Sequence, residues 1–152
     1  MAQADQLKSI RLLFFNDDEL KELMAIPEKD YYSIIAFRDF YCIVSAGTYE
    51  NIEIDHPCRL IISWGDMSNT NNHMVNYRPL DIEIWVQRTY EYGATNNVFD
   101  RRQELIANRI KKLICSAPIE HFKFQFEDMY DMRSNTQDYN RFFMRFRVKF
   151  IK

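Results

Sequence analysis

The sequence predicts an α+β fold built on a mainly antiparallel sheet with a β-hairpin, a central helix packed on one face and an N-terminal helical segment. Two observations indicate this class: apolar residues recur at helical spacing near the N-terminus, and apolar and polar residues alternate in four later segments. The length of 152 residues suits a single domain. We expect residues 1–27 to form the helical segment and residues 50–152 to form the sheet with its central helix.

Two helices are predicted before Pro27, which disfavours a helical conformation in the residue that precedes it. The apolar stripe of the first helix consists of Leu7, Ile10 and Phe14. Asn16 is expected to cap the second helix, with Glu19 completing a capping box. The buried face of the second helix would comprise Leu20, Leu23 and Met24. Residues 31–44 are apolar without a clean period, which leaves open a strand, a short helix followed by a strand, or an interface segment.

A long β-hairpin is predicted in the middle of the chain. The alternation of Leu60, Ile62 and Trp64 with their neighbours indicates its first strand, and the polar residues 65–73 would form a flexible loop at its tip. The second strand would turn one set of side chains inward, namely Ile82, Ile84 and Val86. Its other side would carry Asp81, Glu83, Trp85 and Gln87, where acidic side chains are ordinarily solvated.

The central helix is expected to begin after Asn97 and to end before Pro118. Asn97 is a good N-cap, and Asp100 in the first turn would interact favourably with the helix dipole. The predicted buried face comprises Phe99, Ile106, Ile110 and Leu113, and the predicted outer face Arg101, Glu104, Asn108 and Lys111. Alternating residues then predict two final strands, at 122–127 and 141–151.

Composition argues against several classes of enzyme. Three glycines are too few for a phosphate-binding loop, and no Gly-x-Ser-x-Gly nucleophile motif occurs. His56 and Cys58 are the only close pair of metal-ligand type, so we predict no catalytic, cofactor-binding or metal-binding residue. Three cysteines without a C-x-x-C pair fit a reducing compartment, and we expect neither a secretory signal nor a membrane-spanning segment.

A nucleic-acid-binding protein or a magnesium-dependent nuclease is the alternative that the acidic and basic residues leave open. Asp66 lies at one strand end, and Asp81 and Glu83 share one side of the next strand, a grouping that can hold Mg²⁺. The strand-borne Glu-x-Lys typical of such nucleases is missing, because Trp85 stands where the lysine would be. The basic last strand also offers contacts to phosphates or bases.

Charge is distributed unevenly along the chain. Residues 1–60 carry eleven acidic and six basic side chains, whereas residues 61–152 carry eleven and fourteen. The acidic first part and the basic second part of the chain can attract each other within one copy or between copies. The basic row of the last strand is interpreted as a charge-protected edge strand, a phosphate contact or a subunit contact, and we favour the subunit contact. The candidate subunit interface comprises Asp17, Asp18, Glu22, Arg141, Arg145, Arg147 and Lys149.

The chain order resembles that of tailed-bacteriophage tail terminator proteins, which are also called tail-completion or head–tail joining proteins of the phage neck. The residues that carry the resemblance are PLDIEIWVQR at 79–88 and the helix FDRRQELIANRIKKLI at 99–114. In that family a strand hairpin precedes a helix, and two C-terminal strands complete the sheet. The opening RLLFFNDDEL at 11–20, with IPEK at 26–29, also looks like a phage neck or connector protein.

The resemblance implies a virion protein, made in the host cytoplasm, that has no enzymatic activity and no membrane partner. It implies a homohexameric ring that ends tail-tube polymerisation and contacts the tail-tube protein on one side and the head–tail connector on the other. DNA would pass through the lumen without sequence-specific binding. A ring needs two different complementary patches on each copy, which the unequal charge distribution would supply. The candidate docking loop comprises Gly65, Asp66, Asn69, Asn71 and Asn72.

Overall fold

The computed structural model describes residues 3–30, 32, 40–43, 57–65, 68–69, 76–77, 79–95, 99–116, 118–119, 122–132 and 138–150. The α-helices in these ranges are α1 (Gln3–Phe15), α2 (Asp18–Leu23) and α3 (Arg102–Cys115). The strands are β1 (Tyr41–Ile43), β2 (Cys58–Trp64), β3 (Ser68–Asn69), β4 (Asn76–Tyr77), β5 (Leu80–Gln87), β6 (Phe122–Met132) and β7 (Tyr139–Phe150). Short 3₁₀ turns occupy Glu28–Asp30 and Arg88–Tyr90. Within these ranges no helix has the length and apolarity that crossing a membrane requires.

The main sheet has the strand order β1-β2-β5-β7-β6, in which β1 and β2 are parallel and the other neighbours are antiparallel. The predicted hairpin is confirmed, because β2 and β5 pair from Cys58 opposite Val86 to Trp64 opposite Leu80. The two-residue strands β3 and β4 pair with each other in the connection between β2 and β5. An antiparallel sheet with an N-terminal helix and a central helix confirms the α+β class.

The last strand of the chain does not lie at an edge of the sheet. β7 lies between β5 and β6, so the interpretation of its basic row as a charge-protected edge strand is wrong. A hairpin can add to a sheet through either of its strands, and here β7 pairs with β5 over eight residues. The edge position therefore falls to β6.

The helices lie on one face of the sheet. α1 contacts β1 and β2, α3 contacts β5 and β6, and α2 contacts both other helices. The even-numbered side chains of the central strands enter the core: Cys58, Leu60, Ile62, Trp64, Leu80, Ile82, Ile84, Val86, Phe142, Met144, Phe146 and Val148. Burial of one large apolar side chain contributes about 1.5–3 kcal/mol, so this core is the main source of stability.

The second helix begins one residue later than predicted. Asp17, not Asn16, is its N-cap, and the Asp17 carboxylate accepts a hydrogen bond from the backbone N–H of Leu20 (2.9 Å). Asn16 still belongs to the end of α1, because its N–H donates to the carbonyl of Leu12. With the cap at Asp17, Glu19 lies too early in the helix for the predicted capping box. Leu20 and Met24 are buried as expected.

The predicted start of the central helix is wrong. α3 begins at Arg102 with Arg101 at the N-cap position, and the predicted cap Asn97 lies outside the described residues. Asp100 precedes the helix and accepts a hydrogen bond from the Thr95 hydroxyl. Phe99, expected on the buried face, is 84% exposed. Further along, the buried side chains include Ile106 and Ile110 as predicted, with Leu113 packed at the edge of the core.

Long-range contacts of Arg102 fix the start of α3. Its backbone N–H donates to the carbonyl of Glu91 (2.6 Å). Its guanidinium donates to the carbonyls of Tyr90 and Leu23, each at 2.6 Å. The buried arginine therefore joins α3 to the turn after β5 and to the end of α2. Local capping preferences cannot report contacts of this range, which explains why the predicted start was wrong.

The end of α2 adopts a left-handed turn without glycine. Ala25 has φ +57°, its N–H donates to Glu22 O, and the N–H of Ile26 donates to Lys21 O. These two bonds form a Schellman motif, in which glycine is the usual residue at the position of Ala25. The helix thus ends at Leu23, before the stop expected next to Pro27.

Ala25→Gly is expected to raise the free energy of unfolding by about 0.5–1 kcal/mol, because glycine adopts a positive φ without the steric cost of a Cβ. Urea denaturation of the variant and the wild type measures the difference. Ala94→Gly is the matched control, since Ala94 does not have a positive φ and should gain nothing. A destabilised Ala25→Gly variant would contradict this account.

Candidate functional site

The sheet face opposite the helices carries a regular arrangement of charged and aromatic side chains. Register places them in three rows across β2, β5 and β7. The first row holds Arg59, Trp85 and Arg141; the second Ile61, Glu83 and Phe143; the third Ser63, Asp81 and Arg145. We call these nine residues the arginine face.

The acidic residues of this face are buried, contrary to prediction. Glu83 is 4% exposed and Asp81 is 9% exposed, although alternation along β5 predicted solvated positions for both. A buried carboxylate is stable only when it is paired and hydrogen-bonded. Arginines on β7 supply that pairing: Arg145 lies opposite Asp81, and Arg141, which lies opposite Trp85, reaches Glu83 diagonally. Both positions depend on strand order.

Glu83 is the centre of the second row. Its Oε1 accepts a hydrogen bond from Trp85 Nε1 (2.9 Å) and another from Arg141 Nε (2.6 Å). Nη2 of Arg141 approaches the same oxygen at 2.5 Å, and the guanidinium lies 4.8 Å from the centre of the Trp85 ring. One carboxylate therefore holds an arginine against an aromatic face, where charge-assisted hydrogen bonds and cation–π attraction act together.

Asp81 forms a two-bond pair with Arg145, at 2.8 Å from Oδ1 to Nε and 2.9 Å from Oδ2 to Nη2. This hydrogen bonding raises the pKa of Arg145 above its usual value. Gly65 lies against the same carboxylate, and a Cβ at Gly65 would stand 2.4 Å from Asp81 Oδ2. Gly65 was predicted in the docking loop, but it is buried and makes room for this ion pair.

Exposure rises from the middle of the sheet towards its β6 side. The Arg147 side chain is 48% exposed and pairs with Glu127 at 3.2 Å. Arg59, on β2, is buried, and its Nε has no hydrogen-bond partner in the described part of the chain. The exposure of the arginine side chains on this side of the sheet therefore ranges from buried, at Arg59, to about half exposed, at Arg147.

The acidic residues of the predicted interface lie on the other side of the sheet. Asp17 binds Arg109 of α3 through both oxygens, at 2.6 and 2.9 Å, and that hydrogen bonding lowers the pKa of Asp17. Asp18 lies 3.6 Å from the Lys21 ammonium, and Glu22 is exposed on α2. α2 contacts the other helices, so the predicted acidic and basic groups do not meet within the chain.

The remaining predicted residues are described only in part. The backbones of Lys149 and Asn69 lie in β7 and β3, and their side chains are outside the described residues. Asp66, Asn71 and Asn72 lie outside the described residues altogether. The flexible loop predicted for residues 65–73 contains β3, which pairs with β4 just beyond the predicted loop. The docking-loop assignment stays a prediction.

No group of three His, Cys, Asp or Glu side chains that could hold a metal ion occurs in the described ranges. Asp81 and Glu83, two of the three proposed nuclease acids, are each paired with an arginine. Burial raises the pKa of the Cys58 thiol to about 12, which keeps it protonated and unreactive. The described residues therefore offer structural ion pairs more clearly than a catalytic constellation.

One polar cluster was missed by sequence reasoning. Glu91 is buried and accepts hydrogen bonds from Arg101 Nε (3.3 Å) and Asn140 Nδ2 (3.0 Å). Arg101, predicted on a solvated helix face, also donates to both oxygens of Asp131. Distant segments bring these residues together, and no local pattern in the sequence indicates the cluster.

Glu83→Gln is expected to lower the free energy of unfolding by about 3 kcal/mol, because it leaves the Arg141 charge without its carboxylate in a buried site. Urea denaturation measures the loss. The matched control is Glu127→Gln, which breaks the exposed pair with Arg147 and should cost less than about 1 kcal/mol. If both variants lost the same free energy of unfolding, burial would not explain the stability of the Glu83–Arg141 pair.

The stability contributed by Asp17 should depend on pH. Because its folded-state pKa lies below the ordinary value of 3.8, its contribution is complete above that pH and is lost as pH falls through the folded-state value. Asp17→Asn should cost about 1–2 kcal/mol at neutral pH and progressively less in acid. Denaturation at several pH values measures this, with the exposed Asp18→Asn as control. A pH-independent cost would refute the assignment.

No protein-family model matches this chain, and no curated protein matches it at a significant level. The resemblance to tail terminators therefore stays a prediction from the sequence.

Proposed function

We propose that this protein is a structural component of a tailed-phage neck, a tail terminator whose copies form a ring. The ring, of six copies, would cap the tail tube and join it to the head–tail connector in the virion, after synthesis in the host cytoplasm. DNA would pass through its lumen without sequence-specific binding. In support, the described elements have the order on which the resemblance depends: hairpin, helix and two long strands.

The observation that carries this proposal is the edge strand β6. It is eleven residues long, and among the described strands its one neighbour is β7. Met129 and Tyr130 are 40% and 48% exposed in its second half, on the side of the sheet that no described strand covers. Such an edge favours association with another chain. We assign it to the contact between neighbouring copies.

The first half of β6 is protected against indiscriminate pairing. A register shift between Phe126 and Asp128 interrupts the ladder, and Lys123 and Glu127 are exposed there. Bulges and charges are common devices against unwanted edge pairing. Beyond the bulge, the exposed Asp128 and Asp131 flank Met129 and Tyr130, so the exposed apolar part of the edge is short, which favours one specific contact.

The distribution of exposed charge supports a closed ring. Asp18 and Glu22 are exposed on the helical side of the sheet, and Arg147 is exposed on the opposite side. A ring requires two unlike patches on each copy, because each contact joins different surfaces of two copies. Arg147 is the better candidate for the basic patch because its side chain is 48% exposed even though it pairs with Glu127, whereas those of Arg141 and Arg145 are more buried in their ion pairs.

The pairing of Asp81 and Glu83 favours this proposal over a nuclease. A Mg²⁺ ion at these carboxylates would have to displace Arg145 and Arg141, and that would leave both arginines without their carboxylates. Cleavage of DNA that required Mg²⁺ and was lost in Asp81→Asn would restore the nuclease alternative.

The wild-type protein is expected to form oligomers whose mass rises with concentration towards that of a ring. Size-exclusion chromatography with light scattering measures this mass. Met129→Lys places a charge on the exposed half of β6 and should shift the protein to the monomer without changing its thermal unfolding. The matched control is Leu12→Lys, since Leu12 is 51% exposed on α1, away from the edge.

A wild-type protein that stays monomeric at high concentration, alone and with tail-tube protein, would overturn the ring. An oligomer that persists unchanged in Met129→Lys would exclude the β6 edge as the contact between copies. Loss of the oligomer in both lysine variants would indicate a general effect of added charge and would likewise reject the edge.

A further inference from the structure

A solvent-open cavity of about 240 Å³ lies where the start of α3 meets the ends of β6 and β7. It adjoins the half of β6 that we assign to subunit contact, because Asp131 and Met132 at the end of that strand belong to its lining. Its lining residues are Arg88, Arg101, Asp131, Met132, Asn140 and Arg141. Glu91 and Glu83 pair with two of the three arginines, Arg101 and Arg141, from behind the wall. Arg88, whose side chain binds the neutral Asn140, is the lining arginine without a carboxylate partner in the described part of the chain.

Hydrogen bonds fix the inner wall of this cavity. Glu91 accepts from both Arg101 and Asn140, and it is 3% exposed. Arg101 in turn donates to both carboxylate oxygens of Asp131, at 3.2 and 3.3 Å. The one acidic group of the lining is therefore already occupied. Its presence does not prevent a second anion from binding.

Two guanidinium groups retain donors that have no acceptor in the described part of the chain. Arg88 is exposed, and the single hydrogen bond of its side chain there runs from Nε to Asn140 Oδ1 at 3.3 Å. Arg141 directs Nε and Nη2 to Glu83, so its Nη1 keeps both hydrogens. An arginine carries five N–H donors in a planar fork, so most of those of Arg88 remain unused.

We propose that this cavity binds an oxyanion of the phosphate class. The paired arginines would form its fixed wall, and Arg88 would close over the ligand as a two-bond clamp. A phosphate group accepts several charge-assisted hydrogen bonds. The cavity offers unused guanidinium N–H donors, its Asp131 is already bound to Arg101, and the planar guanidinium of Arg88 lies at its mouth. The ligand is either a free phosphate or a phosphodiester of DNA, which present the same oxygens.

Titration with inorganic phosphate at constant ionic strength, followed by ¹H–¹⁵N NMR of backbone and arginine Nε groups, tests the proposal. The expected result is saturable shifts at Arg88, Arg101 and Arg141, with sulfate competing and chloride not. Arg88→Gln should weaken phosphate binding at least about tenfold. The matched control is Lys112→Gln, which removes an exposed cation in the last turn of α3, outside the cavity, and should leave phosphate binding unchanged.

A fluorescent single-stranded oligonucleotide distinguishes the two sources of the phosphate group. Oligonucleotide binding that falls in Arg88→Gln, persists in Lys112→Gln and is competed by phosphate would identify a phosphodiester. Saturable phosphate binding that the oligonucleotide does not displace would identify a small anion. Equal loss in Arg88→Gln and Lys112→Gln, or no saturable shift with inorganic phosphate, would overturn the site. Because Arg88 is exposed, unchanged thermal unfolding of Arg88→Gln verifies that the variant is folded.

Discussion

Two arginine–carboxylate pairs between β5 and β7 constrain the rest of the structure. Glu83 with Arg141 and Asp81 with Arg145 link the central strand to the last one on the face opposite the helices. A shift of one residue in register would move the apolar side chains out of the core and leave buried carboxylates without partners. These pairs therefore specify which strands are neighbours and how they align, while the apolar core supplies most of the stability.

The same pairs determine which charges are available for contact with other molecules. The middle of the arginine face is neutralised internally, and exposure increases only towards Arg147 on the β6 side. On the helical side, Asp17 is bound to Arg109, whereas its neighbours on α2 are exposed. Charges at the periphery thus suit contacts between copies, whereas those in the middle serve the fold. That division is what a repeated subunit needs, since its contacts must not compete with its own folding.

The start of α3 is the second organising point. Arg102 connects the helix to the end of α2 and to the turn after β5, and Arg101 connects it to Glu91 and to β6. The side chains of these consecutive arginines thus extend in different directions. The cavity with unused guanidinium donors lies beside them. The proposed oxyanion site and the helix start therefore have one origin in the long reach of arginine side chains.

The sequence by itself determined the class of fold, because the periods of helices and strands are local properties. The hairpin, the N-terminal helix and the buried Ile106 and Ile110 of the central helix followed from those periods. Tertiary structure alone decided the place of β7 inside the sheet, the burial of Asp81 and Glu83 and the start of α3. Alternation divides a strand into two faces but does not say which strand lies beside it. The partners of buried charges lie about 60 residues apart in sequence, where local patterns carry no information.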